Sequence, residues 1–330
     1  MLAELDLADL RLRAAAAVGE EIDEFEPLLG GRSAITYQGV VAAGGERRRI
    51  VVKVAPPGLE PVRHRDVLRQ ARILKALGPV PGVRVPELLG TDAGEPPEVP
   101  PLFAMSFVPG ESLEPLHELP ARPEPDRDTH ARAYEAARAL AALGEYEPMP
   151  DVVAGEAPLS PADELERWRR AFETVGPELA DGAAQCHRLL AAEIPTPLPP
   201  RVVHGDWRLG NMQCRAGEVL AVIDWEIWAL ADPRVDLAWF LSMTDPRHLR
   251  AVADPAVLPP PEELRAAYED AAGRRVERME WFGALAFYKQ AAAGALIVKN
   301  SRKRGIDDED LALTAALVPS LLDLARTALT

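Results

Sequence analysis

Cysteine is nearly absent: Cys186 and Cys214 are the only two in 330 residues. That is too few for a disulfide framework, and their spacing fits neither a C-x-x-C redox pair nor a zinc ribbon. Both read as small buried hydrophobes. Positive charge is in deficit, with 37 Lys+Arg against 52 Asp+Glu and a formal net charge of -15. A surface that acidic repels polyphosphate and anionic lipid, which argues against nucleic-acid and membrane partners. A local basic pocket for one phosphorylated small molecule is still compatible with it. Long apolar runs are also missing: Trp281–Val298 is broken by Lys289 and Gln290 and reads as a core helix. Residues 1–26 show no basic segment leading into an apolar one, so a cytoplasmic, reducing compartment is expected. No internal repeat is visible.

What is present is a chain of 48% hydrophobic and 27% charged residues, long enough for two ordinary domains. Its punctuation is uneven, set by 32 prolines and 23 glycines. A helical period runs over about 5–19, a strand, glycine turn and strand over 25–37, and a hairpin over 40–55. The spacing of Val67, Leu68, Ala71, Leu74 and Leu77 predicts a helix. Short strand signals follow at 87–90 and 102–108. After Pro109-Gly110 the pattern turns helical, at about 129–143, 163–175, 234–242, 261–272, 279–298 and 308–329. Strand-like islands interrupt it at 201–203 and 219–223. The expected fold class is α+β: a small β-rich N-lobe over 1–104, an interlobe connector at 105–111, and a larger, mostly helical C-lobe over 112–330.

The strongest chemical signal is Val202–Trp225, VVHGDWRLGNMQCRAGEVLAVIDW. It sets His204-Gly205-Asp206, then Asn211, then Asp224 after a strand of β-branched residues. Phosphoryl transfer asks little of a protein: a carboxylate that orients and accepts the acceptor's proton, and oxygen ligands for magnesium. Magnesium takes one or two carboxylates and leaves the remaining positions to phosphate and water. Asp, Asn and Asp brought together by a loop and a hairpin meet that demand. Two other readings stay open on the residues alone. One is a metallophosphoesterase using Asp128, His130 and His248 with the Gly-Asp and Gly-Asn pairs; the other is a nucleotide-binding pseudokinase without turnover.

The spacing resembles the kinase catalytic loop H-R-D-x-x-x-x-N and its later metal-binding Asp. It is closer still to the aminoglycoside phosphotransferase/choline kinase family, with H-G-D-x-x-x-x-N followed by I-D-W-E, Ala231-Asp232-Pro233 and Asp236-Leu237-Ala238-Trp239. The resemblance implies a two-lobed protein-kinase-like fold using ATP and Mg2+. It makes Asp206 the catalytic base, Asn211 and Asp224 the magnesium ligands, His204 a loop-shaping residue, and Asp236 the pin that holds the loop from below. Gly205 replaces the arginine that protein kinases pair with a phosphorylated activation loop, and no A-P-E segment follows. A small-molecule kinase is therefore expected.

That reading makes demands of the N-terminal half. Lys53, among the β-formers Ile50–Val54, would neutralise the α/β-phosphates. Gly30-Gly31-Arg32-Ser33 would approach phosphate through backbone N–H groups, and with Ala34-Ile35-Thr36-Tyr37 resembles the family's G-G-x-S-N-x-T-Y loop. Gln70 stands where the family's R-E-x-x-x-L carries the Glu that pairs with the lysine; Asp66, one turn earlier, is an alternative partner. Met105, Phe107 and Val108 fall in the connector whose backbone would bond adenine. Within the family the motifs are most similar to the kinase-like domains related to acyl-CoA dehydrogenase 10 and 11, which act on hydroxyacyl-CoA. The acceptor expected is a small-molecule hydroxyl, on a hydroxyacyl-CoA-like metabolite or an aminoglycoside-like compound. The basic run Lys299, Arg302, Lys303 and Arg304 is a candidate contact for a phosphorylated acceptor.

Overall fold

The computed structural model describes residues 5–28, 34–43, 46–113, 127–249, 258–306 and 308–329. The chain opens with helix α1 (Leu7–Val18), capped by the Asp6 side chain at one end and by left-handed Gly19 at the other. Strands β1 (Ile22–Pro27), β2 (Ile35–Ala43) and β3 (Glu46–Val54) follow, then α2 (Val67–Leu77), β4 (Leu88–Asp92) and β5 (Leu102–Ser106). The strands form one antiparallel sheet in the order β1-β2-β3-β5-β4.

Two-residue alternation along β3 decides which side chain meets which core. Ile50, Val52 and Val54 join Leu102, Ala104, Leu10 and Ala14 in a cluster beneath α1. Val51 points the other way, into the main core with Phe103, Met105 and the apolar face of α2. Lys53 shares the face of Val51, so β3 delivers its ammonium to the α2 side of the sheet.

Beyond β5 the chain is mainly helical: α3 (Arg127–Glu145), α4 (Pro161–Phe172), the short α5 (Pro177–Ala180) and α6 (Ala183–Ala192). A capping box between Ser160 and Asp163 starts α4. The pair β6 (Arg201–Val203) and β9 (Ala229–Ala231) brackets the hairpin of β7 (Met212–Arg215) and β8 (Glu218–Val222). The chain closes with α7 (Arg234–Met243), α8 (Pro246–Leu249), α9 (Pro261–Ala272), α10 (Met279–Lys303) and α11 (Glu309–Thr327). The α+β expectation therefore holds, with a small antiparallel sheet followed by a helical part. Helix α6 and strands β7 and β9 carried no readable periodicity and are additions to the expected elements.

Helix α10 is long and apolar enough to cross a membrane, yet 72% of its most apolar window is buried inside the fold. It packs against α7, α4 and α11, and the Trp281 indole donates to the Leu190 carbonyl at 2.9 Å. It is a core helix, as its interrupted hydropathy implied.

Both cysteines are buried thiols. Burial pushes each pKa up to about 11, which suppresses the reactive thiolate.

Candidate active site

The catalytic-loop candidates leave β6 and are held from below. Asp236, buried at the start of α7, accepts from the backbone N–H of His204 at 2.5 Å and of Gly205 at 2.9 Å. Gly205 has φ +87°, and a Cβ there would sit 2.9 Å from the Ile227 carbonyl oxygen. Only glycine suits that turn. The fully buried His204 ring accepts the Asp206 N–H at Nδ1 (3.2 Å) and lies 2.9 Å from the Ile223 carbonyl at Nε2. Both contacts are satisfied together when Nδ1 accepts and Nε2 carries the hydrogen. Trp207 and Trp225 meet the ring edge-on, with centroids 5.9 and 4.6 Å away.

This scaffold fixes Asp206. Its Oδ1 accepts from the Trp239 indole at 2.9 Å. Its Oδ2 accepts from Asn211 Nδ2 and Arg208 Nε, each at 2.9 Å. Burial pushes the Asp206 pKa up, and His204, then Lys289, then the donors Asn211 and Trp239 partly offset this. Lys289, on α10, donates to the Gly205 carbonyl at 2.7 Å and lies over the Trp239 ring at 4.3 Å.

Asp224 follows β8 in a left-handed conformation, φ 65° and ψ 52°, a strained place for a non-glycine residue. The Ile223 N–H donates to the Asn211 carbonyl at 2.8 Å, so the two ends of the β7–β8 hairpin region are tied together. Asp224 Oδ1 lies 3.0 Å from Lys53 Nζ. The two residues are 171 apart in sequence; the sheet and the hairpin bring them together. Gln70 Oε1 is 3.4 Å from the same ammonium, and its Nε2 is buried without a partner among the described residues. Asp66 is differently employed: its carboxylate caps α2 by accepting the Arg69 N–H at 3.0 Å. Lys53 thus takes its countercharge from Asp224.

The donor set suits a hard divalent cation. Asn211 turns its side-chain nitrogen to Asp206, so its side-chain Oδ1 and the Asp224 carboxylate are the hard oxygen donors that would take such an ion. Negative charge also accumulates here. Burial, and then the Asp224 and Asp206 carboxylates, push the Glu226 pKa up to about 7 against the pull of Lys53. Two oxygen ligands and crowded carboxylates fit magnesium, which takes its remaining ligands from phosphate and water. Among the described residues, no group of three or more His, Cys, Asp or Glu is placed to hold a metal. His248 is buried with Nδ1 3.2 Å from the Ser242 carbonyl, turned into the core rather than toward Asp206.

Gly30, Gly31, Arg32 and Ser33 lie outside the described residues. Met105 sits in β5, paired with Val51. The Phe107 N–H donates to the Arg49 carbonyl at 3.2 Å, and the Arg49 guanidinium stacks 3.6 Å from its ring centroid. Its backbone donor is therefore occupied within the sheet. Just beyond Val108, Glu111 and Cys214 exchange backbone bonds of 2.8 Å. Gly110 permits that approach, since a Cβ would fall 2.7 Å from the Cys214 carbonyl oxygen.

Trp239, Arg208 and Lys289 join the site beyond the residues expected from sequence. Lys289 carries a legible signal, a lysine within an apolar helix. A buried ammonium is costly without a partner.

The chain matches the Phosphotransferase enzyme family over residues 24–282. It is 26% identical over 306 residues to acyl-CoA dehydrogenase family member 10 of Mus musculus, covering 84% of this chain and 27% of that protein. It is 30% identical over 178 residues to viomycin phosphotransferase of Streptomyces vinaceus, covering 51% of this chain and 60% of that one. The chain thus spans less than two thirds of either relative. Among solved structures, its fold is shared by spectinomycin phosphotransferase in complex with ADP and spectinomycin, with a TM-score of 0.63, 12% identity, and 98% of each chain covered.

Proposed function

The chain belongs to the phosphotransferase enzyme family; on this premise we propose that it is a small-molecule kinase that moves the γ-phosphoryl group of ATP to a hydroxyl of a small molecule. The observation that carries this reading is the convergence of four residues from three separate elements. Lys53 of β3 meets Asp224 after β8 at 3.0 Å, while Asp206 and Asn211 share a 2.9 Å bond on the loop beside them.

In this reading Asp206 orients the acceptor hydroxyl and takes its proton, a contribution of typically 10²–10⁴-fold. Asn211 and Asp224 hold magnesium, which supplies charge neutralisation at the phosphates when bound. Lys53 holds the α/β-phosphates, with Gln70 beside it. His204 shapes the loop and Asp236 pins it. Met105 and Val108 border the adenine, and Gly30, Gly31, Arg32 and Ser33 cover the phosphates. The division of labour follows residues 1–104 for nucleotide and 112–330 for acceptor, joined at 105–111. We place the protein in the cytoplasm.

The acceptor is a hydroxylated metabolite of the hydroxyacyl-CoA kind or an aminoglycoside-like compound. Viomycin phosphotransferase supports the second class, and the likeness to acyl-CoA dehydrogenase family member 10 supports the first. Incubation with ATP, magnesium and a panel of hydroxyacyl-CoAs, aminoglycosides, macrolides and amino alcohols tests this by mass. One acceptor should gain a single phosphoryl group. A panel left wholly unmodified, with nucleotide bound but never cleaved, would remove the catalytic reading.

A further inference from the structure

Arg69, on α2, reaches the stretch of chain that follows Asp224. Its Nε and Nη2 grip the Glu156 carboxylate at 2.6 and 2.9 Å. The same guanidinium donates to the Glu226 carbonyl at 3.4 Å and to the Trp228 carbonyl, and lies 4.1 Å from the Trp228 ring centroid. The Trp228 indole donates in return to the Arg69 carbonyl at 3.3 Å. Arg72, one turn on, adds a 3.2 Å bond to Glu156. The Arg69 side chain is 12% exposed and Trp228 is 1% exposed, so this is an interior joint. Its neighbour Gln70 stands 3.4 Å from Lys53 Nζ. Adjacent residues of one helix therefore meet the lysine and the segment that carries Asp224.

Asp224 is left-handed, with no side-chain bond capping the turn it opens. A non-glycine residue keeps such a conformation only where its surroundings impose it. Upstream, the bond from Ile223 N–H to the Asn211 carbonyl fixes one side. Downstream, the carbonyls of Glu226 and Trp228 both end on the Arg69 fork. A planar guanidinium with five donors can hold a carboxylate and two carbonyls together, which an ammonium cannot do in one plane. We propose that Arg69 is a positioning residue, holding Asp224 from behind in the orientation that presents its carboxylate to magnesium. The assignment rests on the phosphotransfer reading above. Charge alone predicts the opposite effect, since removing a nearby cation should strengthen the binding of a divalent ion. Loss of a residue that orients a metal ligand weakens it, by about 10–100-fold. The sign of the change separates the two.

The experiment measures ADP affinity by calorimetry with and without magnesium, well below the melting temperature, and follows backbone amide exchange in the same full-length chains. Magnesium should tighten ADP binding to wild type; Arg69→Met should lose that gain by about tenfold or more, with metal-free ADP affinity within about threefold. Arg69→Lys keeps the charge without the fork and should lose most of the same gain. Amides of residues 223–228 should exchange faster in both variants, while those of 204–206, pinned by Asp236, should match wild type. If neither variant folds, Glu156→Gln, which loosens the carboxylate that aims the guanidinium, carries the test with the same losses expected. A lower Tm with the magnesium gain and the exchange intact would make Arg69 a structural brace and overturn the assignment. A magnesium gain larger than that of wild type would overturn it too. No magnesium gain in wild type would remove the phosphotransfer reading itself and Arg69 with it.

Discussion

Asp236 is the residue through which the helical part fixes the catalytic loop, and its removal can be worked out from its contacts. Its carboxylate accepts two backbone N–H groups, from His204 and Gly205, in a site with 1% exposure. Asp236→Ala strands both donors, each costing about 1–3 kcal/mol when buried and unsatisfied. Asp236→Asn keeps one acceptor but sets an amide N–H₂ against the other donor. Burial pushes the Asp236 pKa up, so either neutral residue recovers part of the cost of burying a charge. We expect a net loss of about 2 kcal/mol for Asn and about 4 kcal/mol for Ala. With an unfolding entropy of about 2.1 cal/mol/K per residue over 330 residues, these become Tm drops of about 3 and 6 °C. Differential scanning calorimetry reads the shifts. Turnover should fall further than stability, because the same two bonds place Asp206. An alanine variant melting within about 1 °C of wild type, or melting above the asparagine variant, would refute this account of the loop.

Other expectations concern separate parts of the molecule. Lys53→Met should weaken ATP binding about tenfold in a nucleotide titration and lower the Tm by only about 3 °C, since the pair is partly buried, with side chains 14% and 40% exposed, and its loss costs about 2 kcal/mol, between the surface and fully buried cases. Burial opposes ionisation of Glu269, but the Val276 N–H, Arg265 and Arg275 outweigh it and hold the carboxyl below its usual value. That stability is present above the ordinary Glu value and is lost as pH falls through the depressed one. Denaturant midpoints of wild type and Glu269→Gln should therefore differ most near neutrality and converge in acid. Cys186 and Cys214, with thiols raised to about 11, should resist iodoacetamide in the native chain at pH 8 and react only after unfolding. Mass spectrometry checks it, and native labelling at either position would contradict their burial.

The sequence reading reached furthest where chemistry and local pattern coincide. Lys53 among β-formers was legible because period-2 alternation fixes its face, and His204 to Asp224 because a short loop and hairpin contain them. Helix α6 was hidden because AAQCHRLLAA carries few large apolar residues to mark a face. Strand β9 is three residues between Trp228 and Asp232, too short for any period. The shell around Asp206 was illegible for another reason: Trp239 and Lys289 come from helices 33 and 83 residues downstream, and only packing shows that they converge. Gln70 looked like a missing countercharge. The structure supplies that charge from Asp224 across the cleft, a pairing local sequence cannot express.

The central claim is that Asp206 serves as the base of a phosphoryl transfer served by Asn211, Asp224 and Lys53. Its most direct test is ADP formation coupled to acceptor mass gain, in the wild-type chain and in Asp206→Asn, with nucleotide affinity measured on both. The account predicts loss of at least ~10²-fold in turnover for the variant, with ADP affinity and Tm close to wild type. Undiminished transfer by a folded Asp206→Asn chain would contradict it.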